Sequence, residues 1–215
     1  MHSIFIMGGL AFLAYGMLRA IPEALHFYGS RHFPDIGPTA DAPLWSSGIG
    51  TMLAGLAFYL ANADPTLFPW WCLILLSLYG ACRVDARFQI IPDRFHLFGA
   101  IGVAGWMIVA SQGAYLPHLL GTAIISLALP ASLWLLNALY RRWRGHDGLG
   151  FGDIKLLVWL APLLGQDIYL GLFLACALAL LANLPLWRRR SRFATFAFGP
   201  YLAAGSVGVI LLTTL

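Results

Sequence analysis

The sequence predicts an all-α, polytopic transmembrane helix bundle of about eight spans, on three observations. Hydrophobic residues make up 60% of the 215 and charged residues only 10%. With a mean hydropathy of +0.78, this is a balance that a water-soluble domain of similar size does not keep in solution. The apolar residues gather into runs near the length a spanning helix needs, about 20 residues at about 1.5 Å rise each. Finally, the Lys and Arg residues fall in alternate connections between those runs.

The first run, residues 3–19, has no basic region ahead of it and no clear cleavage site after it, so a retained span is expected rather than a removed signal. Residues 21–45 hold Pro22, Pro34, Pro38 and Pro43 with Gly29 and Gly37, which argues against one continuous helix. They predict the longest cytoplasmic connection, a small cap at most. Spans at 46–62, 68–83, 95–111 and 117–140 follow. A span at 154–165 is short for crossing the hydrocarbon alone, so the alternative is that it joins 168–187 as a broken or re-entrant element, which would lower the count to seven. A last span covers 195–213.

Charge decides between eight and seven. Arg19 and Arg31 belong to the first connection, Arg83, Arg87 and Arg94 to the third, Arg141, Arg142, Arg144 and Lys155 to the fifth, and Arg188, Arg189, Arg190 and Arg192 to the seventh, which accounts for all 13 basic residues. The connections near 62–66, 111–117 and 165–167 carry none. Cytoplasmic loops retain Lys and Arg, so eight spans place every positive charge in the cytoplasm and both termini outside. Dropping one late span would strand the 188–192 cluster on the wrong side. The same topology explains the net charge of +4 without nucleic acid as a partner; the partner it implies is the lipid bilayer. Residues 1–215 read as a single membrane domain without a fixed repeat. Cys72, Cys82 and Cys176 stand singly in apolar runs, without zinc-site spacing, and are expected to be ordinary buried thiols.

Nine acidic residues remain to be sorted. Glu23, Asp35, Asp41, Asp64 and Asp167 fall in connections, where solvation is the expectation. Asp85 stands where the third span ends, and Asp93 follows Pro92 just before the fourth begins. Asp153 follows Gly150 and Gly152, glycines that permit close backbone approach, at the start of an apolar helix, while Asp147 shows no comparable setting. Two carboxylates brought together can share a proton, one acting as general base on a water while the other protonates the scissile amide. That chemistry needs neither metal nor cofactor, and no ligand cluster or nucleotide loop points to either. Lys155 either acts on a neighbouring carboxylate's charge or marks a cytoplasmic helix end. Two other roles suit the same aspartates: pairing with Arg83, Arg87 or Arg94 to fix loops, or binding a cation in a small ion-coupled transporter that uses Asp85 and Asp153.

Three segments in order resemble the type IV prepilin peptidases, membrane aspartyl proteases with a Gly-x-Gly-Asp motif. They are Asp85 with Ile91-Pro92-Asp93, then Gly150-Phe151-Gly152-Asp153 with Lys155-Leu156-Leu157, and Phe198-Gly199-Pro200-Tyr201-Leu202. The likeness covers about 68–213, a peptidase-like core. It implies Asp85 and Asp153 as the catalytic pair, with Gly150, Gly152, Lys155, Pro92 and Asp93 supporting, in the bacterial inner membrane with the site facing the cytoplasm. The implied substrate is a type IV prepilin or pseudopilin, cut after its basic leader, usually after a glycine. Larger members insert a domain with two cysteine pairs at the first cytoplasmic connection. None lies in 21–45 here, so peptidase without methyltransferase activity is expected.

Overall fold

A computed structural model describes residues 52–53, 55–61, 64–111, 116–187 and 196–214. The expected span at 3–19, the connection at 21–45, the cluster at 188–192 and part of the span at 46–62 lie outside the described residues. Those described are built of helices, with no strand. Four helical stretches are long and apolar enough to cross a membrane: Pro65–Phe88, Asp93–Ser111, Leu120–Arg144 and Phe151–Leu184. Gly199–Thr213 is shorter. The chain is thus an all-α, multi-pass membrane protein.

Helix α1, Phe68–Phe88, follows a 3₁₀ turn at Pro65–Leu67 whose cap is Asp64, accepting from Thr66 N at 2.9 Å and from its hydroxyl at 2.7 Å. Pro69 is tolerated in the first turn, where its missing N–H has no partner to lose. The helix ends at Gln89, in the left-handed region at φ 55°, whose N–H returns to the Asp85 carbonyl at 2.8 Å. It therefore runs five residues beyond the expected boundary at 83, which puts Asp85 inside its last turn. Leu73, Ile74, Leu75, Leu78, Ala81, Val84 and Phe88 are all buried, so α1 is central.

Helix α2, Asp93–Ser111, lies beside α1. Lipid tails are as apolar as leucine, so burial from lipid gives little drive, and helices associate through close packing instead. A Cβ at Gly102 would fall 2.9 Å from Ile74 of α1, and one at Gly99 would fall 2.6 Å from the Trp159 ring of a later helix. Trp71 and Trp106 meet edge to face at 5.9 Å between α1 and α2.

The run expected as one span at 117–140 matches the stretch Leu120–Arg144, within which α3, Leu116–Ser126, and α4, Ala128–Arg144, are parted by a one-residue turn at Leu127. Pro130 explains the break, because it has no N–H for the Ser126 carbonyl four residues back. Bonds from Leu127 N to Ala123 O and from Ala131 N to Leu127 O, each 3.1 Å, keep the axis nearly continuous.

Helix α5, Phe151–Leu164, is about 21 Å long, short of the about 30 Å hydrocarbon core. A 3₁₀ turn at Gly165–Asp167, with Gly165 at φ 57°, leads into α6, Ile168–Trp187, which is the broken element that stood as the alternative to two separate spans. Helix α7, Gly199–Thr214, packs on α6, α1 and α5. A Cβ at Gly205 would lie 2.8 Å from the backbone nitrogen of Ala175, so α6 and α7 touch main chain to main chain. The cysteines depart from expectation: Cys72 and Cys82 are half-buried and Cys176 is exposed on α6. On an apolar helix a lipid-facing thiol behaves as a small hydrophobe and needs no polar partner.

Candidate functional site

Two helix beginnings, of α5 and α7, converge on the end of α1. Unpaired N–H groups at a helix start favour negative charge nearby. Asp153 occupies the first turn of α5, with Gly150 as its N-cap and bonds from Asp153 N and Ile154 N to the Gly150 carbonyl at 3.1 and 3.3 Å. Asp85, one turn from the end of α1, accepts the backbone N–H of Gly199 at its Oδ2, 2.9 Å away and buried. Cys82, one turn earlier, directs its thiol to the Gly199 carbonyl at 3.8 Å. Gly199 is thus held at both ends of its peptide by the same face of α1.

Both carboxyls are buried, with Asp85 5% and Asp153 8% exposed. Asp153 Oδ1 is shut off from solvent and makes no hydrogen bond among the described residues. Ile91 fixes the spacing. A Cβ at Gly152 would lie 3.1 Å from Ile91 Cβ, and one at Gly199 would lie 3.2 Å from Ile91 Cδ1, so one side chain wedges between the starts of α5 and α7. The glycines serve close approach here: a Cβ at Gly199 would fall 2.8 Å from Asp85 Oδ2, and one at Gly150 would fall 2.8 Å from Asp153 Oδ2.

The structure therefore brings Asp85, Gly150, Gly152 and Asp153 together, with the Ile91-Pro92 turn beside them. Asp93 and Lys155 pair instead with each other at 2.5 Å, tying the first turn of α2 to that of α5. Asp93's side chain is 81% exposed. Of the two readings open for Lys155, the contact is with Asp93, and its ammonium also lies 4.9 Å from the centre of the Phe151 ring. His96, buried on α2, accepts the Trp159 indole N–H at Nδ1, 3.3 Å, on the same α2–α5 seam. Among the described residues no three His, Cys, Asp or Glu side chains gather as a metal site.

Two participants were not marked by the sequence in these roles. Gly199 belongs to the third motif, but nothing in that motif names its N–H as a partner of Asp85. Asn137, on α4, accepts the N–H groups of Gly148 and Leu149 at 2.9 and 3.0 Å, two residues before the α5 cap. Its one signal is that it is an amide within an apolar span, where polar side chains are costly unless bonded.

The profile of the type IV leader peptidase family matches residues 66–184. Among similar proteins, the prepilin leader peptidase/N-methyltransferase of Dickeya chrysanthemi is 32% identical over 175 residues, covering 78% of this chain and 60% of that protein. Its namesake in Pectobacterium carotovorum subsp. carotovorum is 34% identical over 177 residues, covering 75% and 58%. The one in Burkholderia pseudomallei strain 1026b is 29% identical over 179 residues, covering 80% and 55%. The chain thus spans less than two thirds of the length of these relatives. No solved structure is significantly similar.

Proposed function

The chain belongs to the type IV leader peptidase family, and from that premise we propose that it is a membrane aspartyl endopeptidase that removes the basic leader of type IV prepilins or pseudopilins at the cytoplasmic face of the bacterial inner membrane. Residues 1–215 act as one membrane domain, with both termini outside and 68–213 as the peptidase core. Asp85 and Asp153 are the catalytic residues. Gly150 and Gly152 leave room for an extended substrate backbone, while Pro92, Asp93 and Lys155 hold the adjoining helix starts.

The observation that carries the proposal is the meeting of two buried carboxylates from distant parts of the chain, each beside a helix beginning. With one proton shared between the pair, the ionised carboxylate takes a proton from a water as the water oxygen bonds to the scissile carbonyl carbon, and the protonated carboxyl gives its proton to the amide nitrogen as the C–N bond breaks. The peptide bond of a helix is shielded, so the prepilin unwinds locally at its leader junction as it enters beside the end of α1 and the start of α5. The arrangement of alternate positive connections supports the cytoplasmic orientation. The relatives' name includes N-methyltransferase; residues 21–45 hold no cysteine, unlike the two-pair insertion of larger family members, and on that ground peptidase activity alone is proposed for this chain.

The test is cleavage of a purified prepilin in detergent by wild type, Asp85→Asn and Asp153→Asn, with products weighed by mass spectrometry. Each substitution removes a proton-transferring group and is expected to lower the rate by at least about 10²–10⁴-fold while insertion and helix content persist. Normal cleavage by both variants would refute the dyad. A product gaining a methyl mass in the presence of S-adenosylmethionine would refute the single activity.

A further inference from the structure

The Gly-x-Gly-Asp segment does not stand alone: the loop before it is fastened to α4. The Asn137 side-chain oxygen accepts from both Gly148 N and Leu149 N, and its amide group donates to Asp147 Oδ1 at 3.3 Å. Arg141, one turn further along α4, faces the same Asp147 oxygen at 3.8 Å. The Tyr140 ring fills the space beside Gly148, where a Cβ would lie 3.0 Å from it, and stacks edge to face on His146 at 5.5 Å. Gly145 turns the chain out of α4 at φ 80°. Residues 145–149 are therefore folded back along the end of α4, and the next residue, Gly150, is the N-cap that starts α5 and aims Asp153.

We propose that Asn137 is a positioning residue for Asp153: by gripping two successive backbone N–H groups it fixes where α5 begins, and Asp147 orients its amide for that grip. The assignment of Asp153 as a catalytic residue comes from the function proposed above; the clamp itself is independent of it. An amide suits the task because it accepts and donates on one planar group. A leucine at this position offers neither bond. An aspartate keeps the acceptors but sets a second negative charge against Asp147. Exchanging the pair, Asn137→Asp with Asp147→Asn, restores one acceptor and one donor with their direction reversed, and Arg141 still finds a carboxylate within one turn.

The experiment compares full-length wild type, Asn137→Leu, Asn137→Asp and the Asn137→Asp/Asp147→Asn double variant in nanodiscs. One readout is amide hydrogen exchange over 145–150; the other is kcat and KM for a synthetic prepilin peptide carrying its basic leader and first apolar segment. Losing the grip is expected to speed exchange at Gly148 and Leu149 by about tenfold in Asn137→Leu, the upper end for one hydrogen bond. A comparable fall in kcat, with KM within about twofold, would mark misplacement of Asp153 rather than lost binding. Asn137→Asp is expected to lose activity and the exchange of the pair to recover most of it, a rescue that mere filling of space would not give. Unchanged exchange in Asn137→Leu would overturn the clamp, and so would a double variant no better than Asn137→Asp. Should wild type itself leave the peptide whole, the dyad assignment falls, and exchange alone then decides the clamp.

Discussion

Replacing Gly199 with alanine is the smallest change that reaches the proposed dyad from outside it. The added methyl would lie 2.8 Å from Asp85 Oδ2, closer than side chains rest, and 3.2 Å from Ile91 Cδ1, tighter than most such contacts. Ile91 is wedged between α5 and α7 and has little room to withdraw, so the Asp85 carboxylate must turn or the start of α7 must retreat. Either motion breaks the 2.9 Å bond from Gly199 N to Asp85. A hydrogen bond to a carboxylate contributes about 1.5–3 kcal/mol, and about 1.4 kcal/mol is a factor of ten in rate, so losing about 2 kcal/mol of positioning lowers kcat by about 30-fold. The opposing effect, a less flexible unfolded chain with alanine, stabilises the protein by only about 0.4–1 kcal/mol and leaves the chemistry untouched. The assay is leader cleavage under saturating prepilin, with Gly208→Ala as the control, since a Cβ at Gly208, further along α7, meets nothing within 4 Å. A Gly199→Ala enzyme cutting at the wild-type rate would refute the reasoning, and so would a Gly208→Ala enzyme impaired as far.

Gly205→Ala is expected to destabilise the α6–α7 pair by about 1–3 kcal/mol, because the neighbouring atoms belong to the backbone at Ala175 and cannot swing aside; unfolding in rising sodium dodecyl sulfate measures it. Lys155→Asp should lower the thermal midpoint slightly, as suits an ion pair with one exposed partner worth about 1 kcal/mol at most. Joining it to Asp93→Lys should return the midpoint, and failure of that exchange would show that Lys155 does more than tie α2 to α5.

Hydropathy carries length, and so the spans from residue 64 onward were legible, including the broken passage from α5 to α6. What hydropathy does not show is the one-residue turn at Leu127 inside the stretch Leu120–Arg144: Pro130 sits in an apolar run and costs nothing on a hydropathy scale, yet it removes a helical bond. The carboxylates of the candidate site were legible because an acid at the edge of an apolar run is conspicuous. Their surroundings were not. The partner of Asp85 is a backbone N–H, which every residue but proline possesses, and the clamp at Asn137 joins an amide to main chain 11 and 12 residues away. Such bonds leave no mark on residue type. Lys155 had two readings in the sequence, a charge acting on a neighbouring carboxylate or a marker of a cytoplasmic helix end, because position along the chain does not tell what lies across from it; the fold places Asp93 there.

The bond between Asp85 and Gly199 joins positions 114 residues apart. A ribosome adding about 5–20 residues per second needs about 6–23 s to travel that distance. For that interval after Asp85 is made, α1 can already lie in the bilayer with its carboxyl lacking the Gly199 N–H. On the proposed function, a nascent chain would then pass through that interval without a complete site, and competence to cut would begin only when α7 arrives.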